Sequence, residues 1–355
     1  MRLSRRALIG ALPAVALAAC GRPEAHAQIA AARPLKSVAP FRVGTSVMTG
    51  ELQDPEFVGL VRRNFSQVTP EWEMKMERIL ADDGSLGFDA ADQIADFCRA
   101  NGLALHGTTL VWYAQKPAAF EALAGDRAAF EAKLHDYVLA VAGRYRGLAR
   151  GWDVLNEAVA EDGAGYRGGI WESALGPDYA RLAFELAREA DPDAVLFLND
   201  YNLELMPAKL DSFQRLLESL LRAGAPVTGI GTQSHIRADT PPGQAGVAVR
   251  ALARFGLPIH VSELDISTRP TGFSLGGPGA LQAQARVAAE IAEAFLSLPQ
   301  RQRYAFTVWG VRDRDSWLRN ASGGGDPNDQ PLLFDDVGQP KPALSAVEGV
   351  FAGSA

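Results

Sequence analysis

Gly151-Trp152-Asp153-Val154-Leu155-Asn156-Glu157-Ala158 is a short β-prone run that ends in an amide and a carboxylate. Comparable runs lie near Phe41–Val47, Phe65–Thr69, Ala104–Val111, Val195–Asn199, Val227–Thr232, Ile259–Ser262 and Ala305–Trp309. Long amphipathic stretches separate them. Arg127–Tyr145 opens behind Asp126 as a candidate N-cap and places Phe130, Leu134, Tyr137, Val138 and Val141 at helical spacing. Pro207–Arg222 repeats the pattern and stops at Gly224, and Ala280–Leu298 repeats it and stops at Pro299. Strands joined by crossover helices must run parallel, and eight of them close most naturally into a single α/β domain, a (β/α)8 TIM barrel spanning about 41–350. The alternative is an open doubly wound sheet, but no G-x-G-x-x-G or phosphate loop follows the first strand.

Polar groups follow almost every run: Glu71 and Lys75, Trp112 and Gln115, Asn156 and Glu157, Asn199 to Asn202 with Tyr201 among them, Gln233 to His235, Glu263 and Asp265, Trp309 and Asp313. Burying so many polar groups in strand continuations is costly unless they line a polar cleft. In a parallel barrel the C-terminal strand ends share one face, so these side chains are expected to converge on one mouth. Glu157 and Glu263 follow the fourth and seventh runs and would face each other across the barrel axis. A lone strand-end glutamate is as readily a loop cap or surface ion pair. A facing pair with tryptophan and amide neighbours suits glycosidic cleavage, which needs an acid for the leaving oxygen and a carboxylate for the anomeric carbon.

The chain resembles the family 10 glycoside hydrolases, chiefly endo-β-1,4-xylanases, from about Phe41 to Leu344. The matching segments are Thr69-Pro70-Glu71 with Met74-Lys75, Thr109-Leu110-Val111-Trp112, Gly151 to Ala158, Leu198 to Asn202, Gly229 to His235, Ser262-Glu263-Leu264-Asp265, Val308 to Val311 with Ser316-Trp317, and Pro331 to Asp335 with Lys341-Pro342. Each is weak alone; in this order they are specific. The resemblance implies a retaining double displacement with Glu157 as acid/base and Glu263 as nucleophile. It implies that Asn156 donates to the sugar 2-hydroxyl, that His235 and Asp265 aim Glu263, and that Gln233 holds Glu157 or the sugar. Glu71, Trp72, Lys75, Thr108, Trp112, Gln115, Tyr201, Trp309 and Trp317 would contact a β-1,4-linked xylan or xylooligosaccharide. No cofactor and no metal is implied: His106, His135, His235 and His260 do not fall at ligand spacings.

Three features depart from the family pattern. Trp72 stands where the family has Asn. Thr108 and Tyr113 stand where it has His, both on the glycone side. The Gly/Pro-rich segments Arg269–Gly279 and Leu318–Pro331 would overhang the same side. The cleft is therefore expected to be reshaped, suiting a decorated xylan, a short oligosaccharide or an aryl glycoside. A related retaining β-glycosidase and a non-catalytic glycan-binding lipoprotein are the alternatives; retention of both carboxylates argues against the second.

Composition fits this reading. The 355 residues are 47% hydrophobic and 22% charged with a net charge of −7, an ordinary globular balance that disfavours nucleic acid and anionic lipid. Cys20 and Cys98 exclude a disulfide scaffold; Cys98, in an apolar helical stretch, reads as a buried hydrophobe. Residues 1–27 read as an export signal with a twin-arginine-like Ser4-Arg5-Arg6-Ala7-Leu8-Ile9, and residues 28–40 as a tether. Leu17-Ala18-Ala19-Cys20 resembles a lipobox, which would anchor a lipoprotein at Cys20, whereas cleavage after Ala27 would release a soluble periplasmic or secreted protein. A monomer is expected.

Overall fold

The computed structural model describes residues 33–269 and 278–353. The leader, Cys20 and most of the Arg269–Gly279 loop lie outside the described residues.

Eight strands form the expected barrel: β1 (Arg42–Val47), β2 (Gln67–Pro70), β3 (Ala104–Trp112), β4 (Ala149–Asn156), β5 (Val195–Asp200), β6 (Gly229–Thr232), β8 (Ile259–Ser267) and β9 (Arg303–Val308). A short β7 (His235–Arg237) pairs along the far end of β8, Asp265–Ser267. Every pairing is parallel. The order runs from β6 through β1 to β9 and β8, and β6 pairs with β8 to close the ring. Register breaks fall between Thr108 and Val111, Asp153 and Leu155, and Val261 and Leu264. Such irregularities bend a strand and re-aim its side chains, here just ahead of the residues that reach the mouth.

Local chemistry starts and stops the helices. The Asp54 side chain accepts from the amides of Glu56 and Phe57 ahead of Pro55, and Asp126 accepts from the Ala129 amide as expected of an N-cap. The Asp89–Asn101 helix ends at Gly102 with φ of 64°, a left-handed position suited to glycine. Cys98 is fully buried in that helix. The tether reading is corrected at its C-terminal part: Leu35–Val38 form one helical turn and Leu35 is fully buried. Arg33 pairs with Glu348 of the Pro342–Ala352 helix at 2.7 Å. The Leu35–Val38 turn packs against the last helix, so the barrel's packing takes in residues ahead of Phe41. Among the described residues, no helix is long and apolar enough to cross a membrane.

Candidate active site

A cleft of about 870 Å³ opens at the C-terminal strand ends. Glu71, Trp72, Lys75, Trp112, Glu157, Tyr201, Gln233, His235, Glu263, Trp309 and Trp317 line it. Asn156 and Asp265 lie directly behind this wall and bond to it. Thr108 and Gln115 are buried away from it: Gln115 Oε1 accepts from the Glu77 amide, and Thr108 is 1% exposed within β3, its peptide bond to Thr109 cis.

Glu157 directly follows β4 in the left-handed region, with φ of 56°. Asn202 (φ 57°) and Ser234 (φ 61°) do the same beyond β5 and β6. These conformations cost a side-chain-bearing residue about 1–2 kcal/mol, less for asparagine. The turn aims the Glu157 carboxylate into the cleft. Trp112 Nε1 donates to its Oε2 over 2.8 Å and Gln233 Nε2 to its Oε1 over 3.0 Å. Asn156 Oδ1 accepts from Asn199 Nδ2 at 2.9 Å and Gln233 Nε2 at 3.3 Å, which fixes the amide so that its NH2 faces the Glu157 side.

Glu263 sits within β8. Its Oε1 accepts from Asn199 Nδ2 over 3.1 Å, while His235 Nε2 lies 3.3 Å from its Oε2. The other imidazole nitrogen is 2.9 Å from Asp265 Oδ2, which also accepts from Trp317 Nε1. Burial alone would push the His235 pKa down, but the Asp265 and Glu263 carboxylates outweigh it and raise it to about 10. A cation is thus held against Glu263. Glu71 has the opposite character: burial raises its carboxyl to about 7, against the Ser46 hydroxyl that donates to it over 2.7 Å and against Lys75.

Asn199 connects the two halves. It donates to both Asn156 and Glu263 and accepts from Ser262 Oγ at 2.8 Å. Gly231 makes room for it, since a Cβ there would stand 2.2 Å from Asn199 Oδ1. The sequence placed Asn199 at a strand end without marking it as this hub. Reading by strand ends also missed Arg167, whose Nη1 lies 4.0 Å from Glu157 Oε2 while its guanidinium stacks against Tyr113 and Tyr201. Arg314 and Asp315 on the cleft wall were missed too, whereas Arg319 and Asn320 come from the Leu318–Pro331 segment expected to overhang it. Charged residues in a loop carry no period that separates a cleft wall from a solvated turn.

The profile of glycosyl hydrolase family 10 matches residues 35–350. The chain belongs to this family. Among its relatives, endo-1,4-beta-xylanase A of Caldicellulosiruptor sp. (strain Rt8B.4) is 36% identical over 318 residues, covering 85% of this chain and 45% of that protein. The chain thus spans under half of that relative's length. Endo-1,4-beta-xylanase 2 of Claviceps purpurea is 34% identical over 309 residues, 86% of each chain. The crystal structure of native xylanase 10B from Thermotoga maritima superposes with a TM-score of 0.82 at 31% identity, covering 92% of this chain and 99% of that one.

Within this family 10 barrel, the departures at 72 and 113 lie in different places. Trp72 is 37% exposed at the mouth, with Lys75 Nζ 4.8 Å from its ring centroid; the same ammonium lies 5.0 Å from Trp112 and 5.9 Å from Trp309. Tyr113 instead packs edge-on against Trp112 and beneath Arg167.

Proposed function

We propose that the protein is a retaining endo-β-1,4-xylanase that cleaves xylan or xylooligosaccharides by double displacement. Family membership supports the reaction class. The observation that carries the residue assignment is that Glu157 and Glu263 face one cleft and are joined through Asn156, Asn199 and Gln233. Glu263 attacks the anomeric carbon while the Glu157 carboxyl protonates the leaving oxygen. Glu157 then takes a proton from the water that releases the sugar. The Asn156 NH2, with its carbonyl already engaged, is free to donate to a sugar hydroxyl. Gln233 restrains Glu157, and His235 and Asp265 orient Glu263.

The remaining wall binds sugar. Trp309 and Trp317 supply flat faces, Glu71 and Lys75 supply polar contacts on the β1–β2 side, and Trp112 and Tyr201 flank Glu157. Trp72 narrows the glycone side, which favours short or decorated chains. Thr108 and Gln115 would act from behind the wall. Residues 1–27 export this barrel as a monomer, with lipidation at Cys20 as the leading reading and cleavage after Ala27 as the other; mass spectrometry of the mature N-terminus separates them.

The test is hydrolysis of linear xylohexaose followed by NMR. The first-formed product should be the β-anomer, and Glu263→Gln should abolish turnover. Glu157→Gln should lose about 10²–10⁴-fold on xylohexaose but far less on an aryl xyloside whose leaving group needs no proton. An α-anomer product, or full activity in Glu263→Gln, would refute the assignment.

A further inference from the structure

Beneath the cleft, the barrel interior holds a second group of side chains that the hydrolytic reaction does not use. His106 on β3, Asp153 on β4 and His260 on β8 are at most 1% exposed and bring one ligand-type atom each within 4.8 Å of the others. Each imidazole has one nitrogen held from outside the group: His106 Nδ1 lies 3.2 Å from the Tyr304 hydroxyl, and His260 Nε2 lies 2.8 Å from Thr307 Oγ1. The atoms left over are His106 Nε2, His260 Nδ1 and Asp153 Oδ1, and all three are buried with no hydrogen-bond partner. His106 Nε2 and Asp153 Oδ1 stand at ion-pair distance, 3.1 Å, which is also a spacing that two ligands of one ion adopt. His260 Nδ1 has neither a hydrogen bond nor an ion pair, and a buried imidazole nitrogen left so is costly unless something takes up its lone pair.

From this arrangement we propose a structural transition-metal site, with zinc as the fitting ion, at His106, Asp153 and His260. Two imidazoles and one carboxylate are a zinc donor set, and a water completes four ligands. Tyr304 and Thr307 fix the outer ring nitrogens, the way metal-bound histidines are ordinarily steadied. The ion would tie β3, β4 and β8 together below the reacting carboxylates. It would be captured as the barrel closes, because the three side chains come from strands far apart in the chain. Since it touches neither Glu157 nor Glu263, it acts on stability and leaves the chemical step to the cleft.

The test uses the full chain and zinc alone. Protein unfolded in chelator is refolded with EDTA or with one equivalent of ZnCl2, and passed through a chelating column. The expected results are about one zinc per chain, a melting temperature higher by about 5 °C or more than in the EDTA sample, and an anomalous peak bounded by the three side chains in crystals measured at the zinc edge. His260→Gln and Asp153→Asn should lose the zinc. Less than about 0.1 zinc per chain, a peak elsewhere, or full zinc retention by folded His260→Gln would overturn the site. Should the variants misfold, the wild-type anomalous map decides alone. None of these readouts depends on hydrolysis, so they stand or fall separately from the proposed activity.

Discussion

The Trp317 indole N–H donates to the Asp265 carboxylate over 2.8 Å, on the same oxygen that faces His235. A half-exposed wall of the cleft is thereby tied to the buried group that orients Glu263. Replacing Trp317 by Phe keeps a flat face and removes only this bond. A hydrogen bond to a charged group contributes about 1.5–3 kcal/mol, so Trp317→Phe should lower kcat by roughly 10-fold or more with a smaller change in KM. Steady-state kinetics on xylotetraose check this; an unchanged kcat would show that the wall and the support are independent.

His235 binds its proton more tightly in the folded protein than in the unfolded chain, with a pKa raised from 6.5 to about 10. Its contribution to stability is therefore fully present below about pH 6.5 and fades as pH rises through about 10. The melting temperature of wild type should exceed that of His235→Gln at pH 6, and the gap should close by pH 10. A constant gap across that range would contradict the ion pair.

Glu71 shifts the same way for a different reason. Burial raises its pKa from 4.5 to about 7, so the folded state prefers the neutral carboxyl and loses stability as pH rises from about 4.5 through 7. Glu71→Gln should melt higher than wild type at pH 8 and close to it at pH 4.5, while weakening sugar binding. Calorimetry at the two pH values tests the sign.

Trp72 presents its ring at the mouth beside Lys75. If it serves as a stacking face worth about 1–2 kcal/mol, Trp72→Ala should raise KM for xylobiose aryl glycosides about 5–30-fold with kcat little changed. Turnover of linear xylan should fall less or improve. Equal losses on both substrates would argue for a general packing role.

The barrel was readable because strands buried on both faces appear as continuous apolar runs between helices of clear period. Where polar residues entered a strand, the reading stopped early: β8 continues to Ser267, past Glu263 and Asp265, which look like loop but are buried. The short β7 was invisible because it forms only along that unread extension. Glu157 and Glu263 were legible from their place after apolar runs. Asn199 and Arg167 were not, because their importance lies in what they touch across the barrel. The same holds for His106, Asp153 and His260, whose spacing in sequence carries no ligand pattern while the closed ring brings them together.

The left-handed backbone at Glu157, Asn202 and Ser234 sets a limit on improving this enzyme. A glycine at 157 would relax the turn and delete the carboxylate proposed as acid/base at once, so the backbone would be eased by discarding that group. A screen that rewards heat tolerance alone would drift towards an inert barrel. Any evolution campaign on this scaffold has to keep turnover under selection in every round.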